Sequence, residues 1–170
     1  MATKTSLRQF QQELAVRLAG AKAAPASTAR LGVRCGTTLW LIDLTEAGEI
    51  MPAPALTPVP LTKPWYAGLA SARGTLISVV DFSAFATGQA TPRGPENRLV
   101  LVNARLGINC ALLVSRMLGL RNPRDFRAAP IAPAGKDWEG GRWTDPAGSE
   151  WRELSLARLV AMPEFLQIGS

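Results

Sequence analysis

The sequence predicts a mainly β, barrel-type protein with few and short helices. Three observations carry this expectation. Short strand-like runs are many, turn-forming residues recur roughly every 8–12 residues, and helical segments are few.

At the start, Leu7, Phe10, Leu14, Leu18 and Ala21 recur at spacings of three and four, one stripe of an amphipathic helix. Ser6 can cap it, with Gln9 in the capping-box position, and Gly20 with the Ala-rich AKAAPASTA segment ends it as a linker. This divides the chain into an arm over 1–29 and a main domain over 30–170. The stripe suits either packing against the body or docking of a partner.

From Arg30 the texture becomes β. LGVRCGTTLWLIDL reads as two strands joined at Gly36, with Leu31, Val33 and Cys35 on one face and Trp40, Ile42 and Leu44 sharing a face of the second. EAGEIM forms a third. MPAPALTPVPLTKP holds five prolines in fourteen residues, which predicts an extended connector. LASA and TLISVVDF flank a tight turn at Arg73-Gly74, and Ser83 to Ala86 make a helical turn that Asp81 caps and Gly88 closes. RLVLVN and INCALLV follow as strands. RNPRDFRAAPIAPAGKDWEGG is irregular, with a strand around Ile131, and RWTDPAGSEWREL is a hairpin turning at Asp145-Pro146-Ala147-Gly148. Ser155 caps a helix SLARLVAM that Pro163 stops.

With 47% apolar and 19% charged residues among 170, the chain has ample material for a core, which excludes disorder as a description of the whole. No stretch approaches the roughly 18 uninterrupted apolar residues of a membrane span. The start lacks a continuous apolar segment, so no secretory signal is expected and the location is cytoplasmic. Cys35 and Cys110 are expected as buried free thiols, too few for a zinc site. The chain has no histidine. That excludes Ser-His-Asp triads, Cys-His pairs, HExxH sites and phosphohistidine relays. Neither GxGxxG nor GxxxxGK[ST] occurs, and no cofactor is expected. An enzyme would have to rely on carboxylates such as Asp43, Glu49 and Asp81, which are spread without clustering.

The net charge of +6 is concentrated at the start. Lys4, Arg8, Arg17, Lys22 and Arg30 against Glu13 leave +4 in residues 1–30, and the remaining fourteen bases and twelve acids leave +2. A basic arm can touch phosphates or an acidic protein. A small basic β-barrel binding nucleic acid is therefore the alternative reading. Against it, the eleven aromatic residues do not interleave with basic ones along a strand, as a base-stacking platform requires.

The most informative segment is WYAGLASARGTLISVVDFSAFATG, residues 65–88. It combines an aromatic anchor, a glycine permitting close approach, a strand, an Arg-Gly turn that Gly74 can accommodate at positive φ, and a second strand closed by an acid. Arg73 projects from that turn either as an ordinary surface arginine or as a five-donor fork for a partner. Trp40 and Trp65 read as core. Trp138, Trp143 and Trp151 lie among polar residues and read as partly exposed.

The pattern aromatic-x-x-Gly-x-x-x-x-Arg-Gly, running on to Val-hydrophobic-Asp at 79–81, resembles the CheW-like domain, the family of adaptors that join chemoreceptors to a chemotaxis histidine kinase. WLIDLTEAGEI resembles the family at Trp40, Ile42, Leu44, Glu49 and Ile50, as do PVPLTKPW over 58–65 and LVLVNARLGINCALLVSRMLGL downstream. The resemblance covers roughly residues 30–165. The opening LRQFQQELAVRL resembles the arm of the family's type IV pilus branch, the PilI-like adaptors of twitching motility. The chain departs from the pattern at Val114-Ser115-Arg116-Met117, where the family has Val-Asp-x-Val, at Ser71-Ala72 before Arg-Gly, and at Asp43 and Ala47; residues 130–150 have no counterpart.

The resemblance implies two packed SH3-like five-stranded β-barrels over a shared core, with no catalytic activity. It implies two partners, the cytoplasmic tip of a methyl-accepting chemoreceptor and the regulatory domain of the kinase, and recruitment from the cytoplasm to membrane-associated receptor arrays without membrane insertion. Arg73, Gly74 and Gly68 fall on the family's receptor-coupling surface, and Glu49 and Ile50 in its segment for adaptor–partner contacts. The implied interfaces are small, transient and strengthened by multivalency.

Overall fold

The computed structural model describes residues 29–130 and 135–170. The helix expected over the N-terminal stripe and the strand expected at Ile131 lie outside them.

Two sheets share the chain. One takes β1 (Arg30–Cys35), β2 (Thr38–Asp43), β8 (Arg116–Arg121), β9 (Arg127–Ala128), β10 (Glu139–Thr144) and β11 (Glu150–Leu154), in the order β8-β1-β2-β11-β10-β9. The other takes β3 (Ala47–Pro52), β4 (Tyr66–Ala72), β5 (Thr75–Asp81), β6 (Arg98–Val102) and β7 (Cys110–Val114), in the order β3-β6-β7-β5-β4. The first sheet thus holds the five strands the resemblance implies plus the two-residue β9.

Both sheets curl. In the second, the proline-rich segment leaves β3 paired to β6 through Ala53 N–H to the Asn97 carbonyl. It then joins β4 at the far edge, where Thr57 and Leu69 exchange both backbone bonds at 2.8 Å. The segment that prolines exclude from a central strand therefore closes the sheet into a barrel. In the first sheet the two edge strands, β8 and β9, are separated in sequence only by Asn122–Phe126, a link spanning at most about 18 Å, so the edges must approach.

The largest core lies between the barrels. Leu31, Val33 and Cys35 of β1 and Trp40 and Ile42 of β2 face it from one side; Val80, Val100, Val102, Leu112 and Val114 face it from the other. The intervening residues of the second barrel, Ile77, Val79, Leu99, Ala111 and Leu113, fill that barrel's own interior. β7 is consequently buried on both faces, which explains why CALLV reads as an unbroken apolar run.

Helices seal the shared core. α1 (Phe82–Thr87) is capped by Asp81, whose buried carboxylate also accepts the Thr91 N–H and hydroxyl, both at 2.7 Å. α2 (Leu156–Val160) is capped by Ser155, and Glu46 accepts the Leu156 N–H at 2.6 Å. Pro163 does more than stop α2: it occupies the first turn of α3 (Pro163–Leu166), where its missing N–H costs nothing. Phe165 of α3 and Phe85 of α1 pack on Trp65, while Trp40, Phe82 and Trp138 form a neighbouring aromatic group.

Two expectations need correction. Trp138 and Trp151, read as partly exposed, are 1% and 2% exposed. Trp151 is held by Phe126 edge-on, the Arg121 guanidinium 5.3 Å from its ring, and an indole N–H bond to Asp145 at 2.9 Å. The polar residues flanking it in sequence face elsewhere. β8 follows β7 with no glycine or proline between them, so it carries no local turn signal of its own. Ser115 alone carries the chain from one barrel to the other, its N–H on the Arg34 carbonyl and its Oγ accepting from Gly36 N–H.

Candidate partner-binding surface

β4 and β5 are joined by a two-residue turn in which Arg73 (φ 50°) and Gly74 (φ 78°) both adopt positive φ. This is the signature of the type I′ turn, whose twist matches that of the strands. An added Cβ at Gly74 would meet nothing within 4 Å, so the requirement there is conformational only. Arginine at the preceding position costs about 1–2 kcal/mol relative to the ordinary helical or extended regions, whereas Asn or Gly would not.

The Arg73 guanidinium lies on Glu49 of β3. Nε stands 2.9 Å from Oε2, and a terminal N–H donates to Oε1 at 3.1 Å. The side chains are 81% and 36% exposed, so this bidentate pair adds at most about 1 kcal/mol to stability. Ile50, the next residue on β3, is half-buried and packs against the shared core.

Gly68 has a different job. It sits in the bulge between Tyr66 and Gly68 pairing positions, at φ 122°, and a Cβ there would stand 2.3 Å from the Thr57 carbonyl oxygen. Its absence of a side chain lets the barrel close. The structure therefore brings Glu49 and Arg73 together, with Gly74 setting the turn, Ile50 behind them, and Gly68 in the closure.

Beside Glu49 runs an open groove of about 570 Å³, lined by Gly48, Leu101, Val102, Ile108 and Asn109 among others. Asn109 Nδ2 donates to the Leu76 carbonyl at 2.7 Å, and Leu76, just past Gly74, is a large apolar residue left exposed. Sequence reasoning missed Leu76, Ile108 and Asn109. The signal for Leu76 was its parity, opposite to that of Ile77 and Val79.

Among the described residues no group of three or more metal-ligating side chains is assembled. Cys35 and Cys110 are free and buried. Burial pushes the Cys110 thiol up to about 12, and burial together with the Asp81 charge pushes Cys35 further, so neither is a thiolate nucleophile near neutrality. No helix among the described residues is long and apolar enough to cross a membrane.

The profile of the CheW-like domain matches residues 30–162. The chain belongs to the CheW-like family. It is 29% identical over 123 residues to the protein PilI of Pseudomonas aeruginosa, covering 72% of this chain and 68% of that one. Its fold is similar to that of the crystallised scaffolding protein TtCheW of Thermoanaerobacter tengcongensis, with a TM-score of 0.62 at 17% identity over 75% of this chain and 88% of that one. The mainly β fold with few short helices is thus that of a CheW scaffold, and the chain is a CheW-like coupling adaptor of chemotaxis-type signalling.

Proposed function

We propose that this adaptor is non-catalytic and couples the cytoplasmic tip of a methyl-accepting chemoreceptor to the regulatory domain of a chemotaxis-type histidine kinase, in a system controlling type IV pilus twitching motility. It acts in the cytoplasm, recruited to receptor arrays, through the domain over 30–170, with residues 1–29 as an arm. Similarity to PilI supports the pilus branch.

The observation that carries the coupling role is the Arg73–Glu49 pair. A type I′ turn holds an arginine in a conformation that arginine disfavours, and most of its side chain remains exposed although Glu49 has already engaged it. Strain at an exposed side chain with little stabilising return points to a partner. Glu49, Ile50, Arg73 and Gly74, with the groove and Leu76 beside them, form one docking face; Gly68 supports it by closing the barrel.

The test is a reconstitution of receptor-bearing membranes, kinase and adaptor, read as kinase autophosphorylation. Arg73→Glu is expected to abolish receptor-dependent stimulation while the melting temperature moves by less than about 2 °C. The exchange Arg73→Glu with Glu49→Arg restores the internal pair and is expected to remain inactive. Full activity in the exchange would make the pair structural and remove the docking reading.

A further inference from the structure

A second surface, at the crossover from one barrel to the other, carries charge that folding does not explain. β1 and β8 pair antiparallel with Arg34 directly opposite Arg116. Like charges directly opposite on neighbouring strands destabilise a sheet. Both residues are exposed. The Arg34 guanidinium has no acidic partner among the described residues, and Arg116 reaches only Glu96, at 3.5 Å, with both side chains more than half exposed.

Glu96 belongs to the tight turn Gly94–Asn97, fixed by the Asn97 N–H on the Gly94 carbonyl and the Gly94 N–H on the Asn97 side chain. Arg93 and Arg98 flank that turn, and Asn97 joins it to Ser115 at the crossover. Arg34 and Arg116 on the strands, and Arg98 beside the turn with its guanidinium on the Pro95 and Asn97 carbonyls at 2.8 Å, thus stand around one acid, Glu96. The eleven remaining bases of residues 31–170 stand against eleven acids, so the positive excess of this part of the chain lies here. Between turn and strand lies an open groove of about 320 Å³ lined by Glu96, Arg98, Arg116, Met117 and Gly119. Met117 contributes exposed apolar surface.

We propose that this groove binds an acidic segment of a partner protein, whose carboxylates take the forks of Arg34 and Arg116 and whose apolar side chains lie on Met117. β-strand addition is not the mode. β8 is bulged where Gly32 and Val33 shift register, and Arg121 occupies the Leu118 carbonyl at 3.1 Å. The partner therefore meets side chains. The occupant is not the chain's own arm, because residues 1–28 carry four bases against Glu13, nor a second copy presenting the same arginines. Nucleic acid is disfavoured because no aromatic residue lines the groove for base stacking. The site is independent of the Arg73 face, and its Arg116 stands where the chain departs from the family pattern.

The test uses the full chain and three fluorescein-labelled probes of twelve units each: an alternating Glu/Leu peptide, its Gln/Leu counterpart, and oligothymidylate. Anisotropy is expected to show the Glu/Leu peptide bound at least tenfold more tightly than either other probe, with affinity falling as salt rises. Arg34→Gln with Arg116→Gln is expected to weaken that binding at least tenfold, while Arg158→Gln leaves it unchanged. Removing the repulsion makes folding of the variants secure: Arg34→Gln alone is expected to raise the melting temperature by about 1–3 °C. Equal binding of the two peptides, an unaffected double variant, or tighter binding of oligothymidylate that the double variant loses would each overturn the proposal.

Discussion

The two barrels are filled by different chemistry. The β3–β7 barrel holds small aliphatic side chains, Ala70, Ala72, Ile77, Val79, Leu99, Ala111 and Leu113, packed without a charge among them. The β1–β2–β8–β11 barrel holds Trp151 under the Arg121 guanidinium, with Gly32 below, where an added Cβ would stand 3.1 Å from both side chains. Its rim is ionic: Arg30 bonds Asp43 and, at 3.2 Å, Glu153. Each barrel presents arginine to solvent, but among the described residues only the ionic one also builds arginine into its packing. The lesson is that sister barrels over one core can divide the work, one supplying an apolar interior indifferent to pH and salt, the other tolerating charge at its surface and in its filling.

The sharpest way to break this contrast is Leu113→Ala. It opens a cavity where every neighbour is fixed, and urea unfolding should show a loss of about 3–4 kcal/mol that is nearly the same at low and high salt. A strongly salt-dependent loss would mean the aliphatic barrel relies on ionic support after all. Trp151→Phe comes next, with an expected loss of about 1–2 kcal/mol, since it deletes ring volume under Arg121 and the indole donor to Asp145.

The smallest effect concerns acid. Burial alone would raise the Asp43 carboxyl, but the Thr45 hydroxyl and N–H, and then Arg30, outweigh it and hold the group below its usual 3.8. Asp145 is held low by the Trp151 indole N–H and the Ser149 N–H. A carboxyl depressed in the folded state binds its proton more readily when unfolded. Its stabilisation is therefore complete above about pH 4 and lost as pH falls below it. The urea midpoint should decline between about pH 4 and 2, less steeply in Trp151→Phe, and with wild-type steepness in Leu113→Ala. An equally steep decline in Trp151→Phe would remove Asp145 from the account.

Much of this was legible in advance because β geometry has a period of two. Leu31, Val33 and Cys35 against Gly32 and Arg34 announced both strand and face, and a tight turn at Arg73-Gly74 followed from an Arg-Gly pair between two apolar runs, though not the positive φ of Arg73 itself. What could not be read was anything set by pairing between distant segments. Trp151 is buried because β11 lies parallel to β2, Trp151 opposite Leu39, and no local signal carries that register. β8 was hidden because a serine sufficed to turn the chain. At the candidate face, Glu49 and Arg73 were each selected through the family pattern. Their bidentate contact depends on the closing of the barrel, which brings β3 to the β4–β5 turn.

The order in which the strands are used has a consequence for biosynthesis. Residues 47–114 complete the aliphatic barrel from one continuous stretch, whereas the other barrel needs β1 and β2 from before it and β8 to β11 from after it. On a ribosome, Leu39 emerges 112 residues ahead of its partner Trp151, a wait of roughly 6 to 22 seconds at ordinary elongation rates. During that interval Trp40 and Ile42 can be covered only by the finished sister barrel, which makes the first barrel to fold the template on which the other is assembled.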